Sequence, residues 1–123
     1  MPYENKWKDN GLDRVFSSTT SGKEILESNL DLHGDKRFET IKYIINDFSN
    51  VVDFNVSDHD VNIIATIDNV SATSKDELKI AIVATNKELI KWIHLYLEKM
   101  EGSPYECQMF SHYDDASQWA SLK

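Results

Sequence analysis

Leu78 to Ala84 reads LKIAIVA, apolar at every position except Lys79. A strand that is apolar on both faces has to be covered on both faces, and that is the signature of an interior strand in a parallel sheet. Parallel neighbours need long crossovers, usually helical. The segments on either side must therefore supply helices, and their spacing does so. Ser57-Asp58-His59-Asp60 opens a helix with Val61, Ile64, Ala65, Ile67 and Val70 toward the core, and the polar stretch Ser71 to Glu77 ends it. Thr85-Asn86-Lys87-Glu88 caps the next helix, which carries Leu89, Ile90, Trp92, Ile93, Tyr96, Leu97 and Met100 before Gly102.

The same alternation extends both ways. Upstream, Ser21-Gly22-Lys23-Glu24 has capping-box spacing. Ile25, Leu26, Asn29, Leu30 and Leu32 follow at helical intervals, with Gly34 as the stop. Ile41 to Phe48 (IKYIINDF) is rich in β-branched and aromatic residues and reads as a strand. Ser49 to Asn55 then reads as a loop larger than its connection requires. Downstream, Ser103-Pro104 breaks the chain, Tyr105 to Phe110 forms a last strand, and Ser111-His112-Tyr113-Asp114 opens a short helix with Ala116 and Trp119 inward.

At the start, Tyr3 to Asp9 and Leu12 to Ser17 flank Asn10-Gly11, a pair suited to a type I′ hairpin turn. In the second arm Leu12, Arg14 and Phe16 alternate with Asp13, Val15 and Ser17. The predicted order is β-β-α-β-α-β-α-β-α: an α/β chain with a mostly parallel sheet of about five strands, the first antiparallel at an edge. At 123 residues this is one domain spanning 1–123. That outer strand, Tyr3 to Asp9, is where a homodimer would pair, with Lys6 and Lys8 partly guarding it.

Charge narrows the partners. Thirteen basic residues against 21 acidic ones give a net charge of -8, a field that repels nucleic acid and anionic membranes. No apolar run is long enough for a membrane span, and Met1 to Gly11 lacks the pattern of a signal peptide. A single cysteine, Cys107, excludes an internal disulfide and suits a reducing cytoplasm. Between Glu106 and Gln108 it shares a strand face with Tyr105 and Met109, the position of a buried structural thiol.

Ligands of parallel sheets sit beyond the carboxyl ends of the strands. That rim gathers Ser49, Asn55, Ser57, Thr85 and Ser111 as candidate contacts for a ligand or partner. Each helix start there pairs Ser or Thr with an acid three residues on, so helix capping competes for the same groups. No Gly-rich phosphate loop occurs. The histidines show no metal-ligand spacing, and Asp58-His59-Asp60 and His112 with Asp114 and Asp115 occupy first helical turns, so no metal site and no cofactor are expected. No nucleophile-base set assembles from the sequence, and the chain is read as non-enzymatic. Trp92 and Tyr96, at i and i+4, belong by default to the core; their alternative is a partner-facing aromatic patch.

Four stretches carry a family resemblance. Gly34-Asp35-Lys36-Arg37-Phe38, Tyr43 to Ser49, Ile80 to Thr85 and Ser103-Pro104-Tyr105-Glu106 leading to Phe110 resemble, in order and spacing, the "GDPRF", "xxxDFS/T", "KxAIVAT" and "SPWE…F" stretches of the SpoIIAA-like fold. That fold is shared by STAS domains and small stand-alone bacterial STAS/SEC14-type proteins. The resemblance implies a cytoplasmic regulatory or binding module for a protein partner or small ligand. Its SEC14 side implies, alternatively, a carrier of a small lipid-like molecule held between helices and sheet. Anti-anti-sigma relatives carry a phosphorylated Asp-Ser-Ser-Gly-like motif. Aligned on Asp47-Phe48-Ser49, it falls on Asn55-Val56-Ser57-Asp58, with Val56 at the phosphoacceptor and Ser57 displaced by one. Ser57 is thus the candidate phosphoacceptor, with Asp58 and Asp60 opposing an added negative charge.

Overall fold

The computed structural model describes residues 3–75 and 77–122. Five strands form one sheet in the order β1-β2-β3-β4-β5: β1 Tyr3–Trp7, β2 Gly11–Ser21, β3 Tyr43–Asn55, β4 Leu78–Val83 and β5 Tyr105–Phe110. β1 runs antiparallel to β2, and every other pair is parallel. The helices are α1 Gly22–His33, α2 Asp58–Lys75, α3 Lys87–Lys99 and α4 Tyr113–Ala120, with a short 3-10 turn at Lys36–Glu39. LKIAIVA is an interior strand, as its composition requires.

Because each crossover steps to the next strand in the same direction, right-handed connections place α1, α2 and α3 on one face. That face holds the larger core, in which Ile44, Ile80 and Ile82 pack with Leu32, Val61, Ile64 and Ile93. The alternate residues Ile45, Ala81 and Val83 meet Ala116 and Ala120 of α4 on the other face. Lys79, the one charged residue of the central strand, donates to the carbonyls of Trp119 (3.1 Å) and Leu122 (2.9 Å), and so holds the end of α4.

Several local expectations are corrected. The hairpin turn lies at Asp9-Asn10, since Trp7 pairs with Leu12 and the Lys8 N–H bonds to Gly11 O at 2.8 Å. Neither turn residue has positive φ, so the turn is not type I′. Gly11 serves another purpose: it pairs with Tyr43 on β3, and a Cβ there would penetrate the Tyr43 ring. Ser49 to Asn55 is not a loop but the second half of β3, paired with β2 through to Ser21↔Asn55. The pairing shifts register twice, and Ser18 takes the left-handed conformation (φ 60°), the mark of a bulge.

α2 runs on through Ser71 to Lys75 rather than ending there, and of the expected polar stretch Asp76 lies outside the described residues. Val70 and Leu30, assigned to apolar faces, are exposed. Asn86, not Thr85, caps α3 by accepting from the N–H groups of Glu88 and Leu89. Ser111 caps nothing, because α4 starts after His112 and has no side-chain cap. The Ser21–Glu24 capping box is present as expected.

Candidate functional site

On β2, alternation turns Leu12, Arg14 and Phe16 toward α1–α3. Arg14 thereby enters the core, where it is only 2% exposed. Its Nε donates to Asn46 Oδ1 on β3 (2.9 Å) and its Nη2 to Asn29 Oδ1 on α1 (2.6 Å). Asn29 Nδ2 donates in turn to Asp68 Oδ1 on α2 (3.1 Å), and the Tyr96 hydroxyl on α3 donates to Asp68 Oδ2 (2.6 Å). One buried polar chain therefore ties two strands to three helices. Arg14 Nη1 is buried and has no partner among the described residues.

Burial sets the charge states. It lowers the Arg14 pKa to about 10, against the opposing pull of Asp68, so the guanidinium stays charged. It raises Asp68 to about 6, opposed by the Tyr96 hydrogen bond and by Arg14, so the carboxylate is ionised at neutral pH. His33 Nε2 lies 3.6 Å from Asp68 Oδ1, but burial and the Arg14 charge hold its pKa near 4. That contact is no ion pair at pH 7. Burial, then the Asp68 charge, pushes the Cys107 thiol to about 12, which makes it an unreactive group beside Tyr96.

Against this network lies a cavity of about 70 Å³ with apolar walls formed by Phe48, Val56, Val61, Ile64, Ile82, Leu89 and Trp92, among others. Asn29, Asn46, Asp68 and Tyr96 also line it. Its half-buried lining residues include Ile25 near the start of α1, Val56 ahead of α2 and Trp92 in the first turns of α3. The cavity thus opens at the carboxyl rim of the sheet, where such folds place ligands.

The structure places the sequence-derived candidates around this mouth rather than in it. Ser49, Asn55, Ser57 and Thr85 are exposed, while Phe48 and Val56, each adjacent in sequence to one of them, line the cleft. Ser49 is occupied locally: its N–H and hydroxyl both donate to Asp47 Oδ1 (2.9 and 2.7 Å). Ser111 is exposed at the far strand, where the chain turns to the opposite face. Tyr96 is a buried core residue bonded to Asp68, so it forms no exposed pair with Trp92; only Trp92 is half-buried at the mouth. Among the described residues, no group of three or more His, Cys, Asp or Glu side chains is placed to hold a metal.

Ser57 is the N-cap of α2. Its hydroxyl accepts from the Asp60 N–H (3.2 Å), and its own N–H donates to Asp60 Oδ2 (3.0 Å). Ser57→Ala is expected to cost about 1 kcal/mol in urea unfolding; an unchanged midpoint would contradict the cap.

Arg14, Asn29, Asn46 and Asp68 were missed as site residues, although the sequence carried a signal for two of them, Arg14 and Asp68. Arg14 alternates in phase with Leu12 and Phe16, and Asp68 falls seven residues after Val61 and four after Ile64, on the core-facing side of α2.

No protein-family profile and no curated protein matches the chain. Among solved structures it is similar to the crystal structure of an uncharacterised protein of the DUF3478 family with a SpoIIAA-like fold, from Shewanella loihica PV-4. The identity is 14% and the TM-score 0.55, over 96% of this chain and 91% of that one. The fold is SpoIIAA-like, and at that identity the likeness speaks for the fold alone. No helix among the described residues is long and apolar enough to cross a membrane.

Proposed function

We propose that residues 1–123 form one cytoplasmic, non-enzymatic binding module that takes an apolar side chain of a partner protein into the cleft between the sheet and α1–α3. The observation that carries this reading is the cleft itself: apolar walls, a half-buried Trp92 at the mouth, and an inner end whose polar groups are largely engaged with one another. Amphipathic aromatics at the edge of a pocket are favoured in recognition. A non-catalytic role is supported by the site's chemistry, since the Cys107 thiol is held neutral and both Asp68 oxygens accept internal hydrogen bonds.

Size favours this reading over the lipid-carrier alternative. About 70 Å³ suits a branched aliphatic side chain, whereas benzene alone occupies a cavity of roughly 150 Å³ in an engineered core. Methyl NMR with two probes tests the reading. The leucine-like 3-methylbutanol should shift the Ile64 and Ile82 methyls and the Trp92 indole, with about tenfold weaker binding in Trp92→Ala. Dodecanoate should leave them in place. Dodecanoate binding with the alcohol silent would reverse the choice.

A further inference from the structure

β3 outruns its neighbour. Its pairing with β4 ends at Asp47↔Val83, while its pairing with β2 continues to Asn55. Beyond Val83 the chain leaves β3, and the Ala84 N–H bonds to Phe110 O instead. Among the described residues, no hydrogen bond joins the Asn50–Asn55 backbone to anything but β2. The overhang amounts to roughly 25 Å at the usual strand rise, with one edge of backbone donors and acceptors unclaimed by a strand.

Natural edges are blunted by lysine, proline or a bulge. β1, the outermost strand, carries Lys6, and Lys8 follows it; Ser49–Asn55 (SNVVDFN) contains neither lysine nor proline. Val52 there is 75% exposed. Both register shifts place the extra residue on β3 itself (Phe48 and Ser49 opposite Phe16, and Val52 with no counterpart), so the overhang is bent at its start. Beyond Val52 the pairing of Asp53–Asn55 with Thr19–Ser21 is regular, and their other edge is claimed by no strand. The overhang also leads directly into the cleft, since Phe48 precedes it, Val56 follows it, and both line the cavity. A strand laid along this edge would alternate its side chains, placing one at the mouth; backbone pairing would supply affinity and the pocket specificity.

Charge selects the kind of strand. Asp47, Asp53, Asp58 and Glu88 stand along this part of the rim against Lys87 and Lys91, on a chain of net charge -8. We propose that the overhanging edge of β3 docks an extended, basic segment of a partner protein by strand addition, with one aliphatic side chain of that segment seated in the cleft beside Trp92. This rests on the binding-module reading above and names how the partner is held.

The test uses the full chain and a display library of seven-residue peptides, followed by hydrogen exchange with the strongest peptide. The expected selection is for Lys or Arg flanking a single Leu, Ile or Val. That peptide should slow exchange of amides within Asn50–Asn55 and shift the Trp92 indole. Backbone N-methylation of the peptide, or Val52→Lys in the protein, should weaken binding at least tenfold. Enrichment of acidic peptides, or a peptide that shifts Trp92 while tolerating N-methylation and leaving Asn50–Asn55 unprotected, overturns strand addition but leaves the cleft reading standing. Protection of Asn50–Asn55 that grows with protein concentration alone assigns the edge to a second copy of the chain and overturns the proposal. No enriched peptide together with a silent 3-methylbutanol titration defeats the binding-module reading and this proposal with it.

Discussion

Arg14→Ala is expected to destabilise the protein by about 3–5 kcal/mol, the usual effect of removing one partner from a buried charged network. The substitution leaves Asn46 Oδ1 and Asn29 Oδ1 without their donors and the Asp68 carboxylate buried without its nearby cation. Truncating a surface arginine would change stability by no more than about 0.5 kcal/mol. The comparison that isolates the network is a double-mutant cycle with Asp68→Asn. Because the two charges share Asn29, the double variant should be more stable than the sum of the single effects predicts, by about 1–3 kcal/mol. Equilibrium urea unfolding of the four proteins decides the matter, and strict additivity would mean that Arg14 and Asp68 do not act as a unit.

The second large effect is a pair of opposed titrations. Asp68 moves from an ordinary 3.8 to about 6 on folding. Between those values the folded protein holds a proton that the unfolded chain has released. Its contribution is therefore fully present below about pH 4 and lost as pH rises through 6. His33 moves the other way, from 6.5 to about 4. There the unfolded chain takes up a proton that the folded state refuses, so this contribution is present above pH 6.5 and lost as pH falls through 4. Over the shared window the two oppose each other. His33→Asn should uncover the Asp68 titration, so that the variant gains stability relative to wild type on acidification, by about 2–3 kcal/mol across the window. Asp68→Asn should uncover His33 and lose stability relative to wild type over the same range. Urea midpoints at pH 7, 5.5 and 4 measure both differences. Variant curves running parallel to wild type would show that neither group titrates as its burial requires.

The layout of the fold was legible because it rests on patterns that the chain states locally. LKIAIVA admits an interior strand, and the Ser21–Glu24 box marks the start of α1. What misled was local chemistry with two uses. Gly11 looked like a turn residue, yet it is absent from the turn and is required where the Tyr43 ring crosses β2. Ser49 to Asn55 looked like a loop because four of its seven residues are Ser, Asn or Asp, which is also how a strand reads when it overhangs its sheet.

The site was less legible for a related reason. Of the rim residues chosen from topology, Ser49, Asn55, Ser57 and Thr85 flank the mouth and Ser111 lies away from it, while the cleft wall takes their apolar neighbours Phe48 and Val56. Arg14 and Asp68 each sit on an apolar phase of their element, a conflict that local patterning cannot resolve. It is resolved only when α1 and α3 bring Asn29 and Tyr96 between and beside them. No spacing along the chain announces that meeting, because it depends on which helix lies next to which.

The binding reading stands on an open, apolar-walled cleft between the sheet and α1–α3. Diffraction from crystals pressurised with xenon addresses it directly, because xenon occupies apolar space and leaves hydrated space to water. A xenon atom among Phe48, Val61, Ile64, Ile82 and Trp92 is the predicted result. Ordered waters filling that volume, or side chains closed over it with no xenon inside, would contradict it.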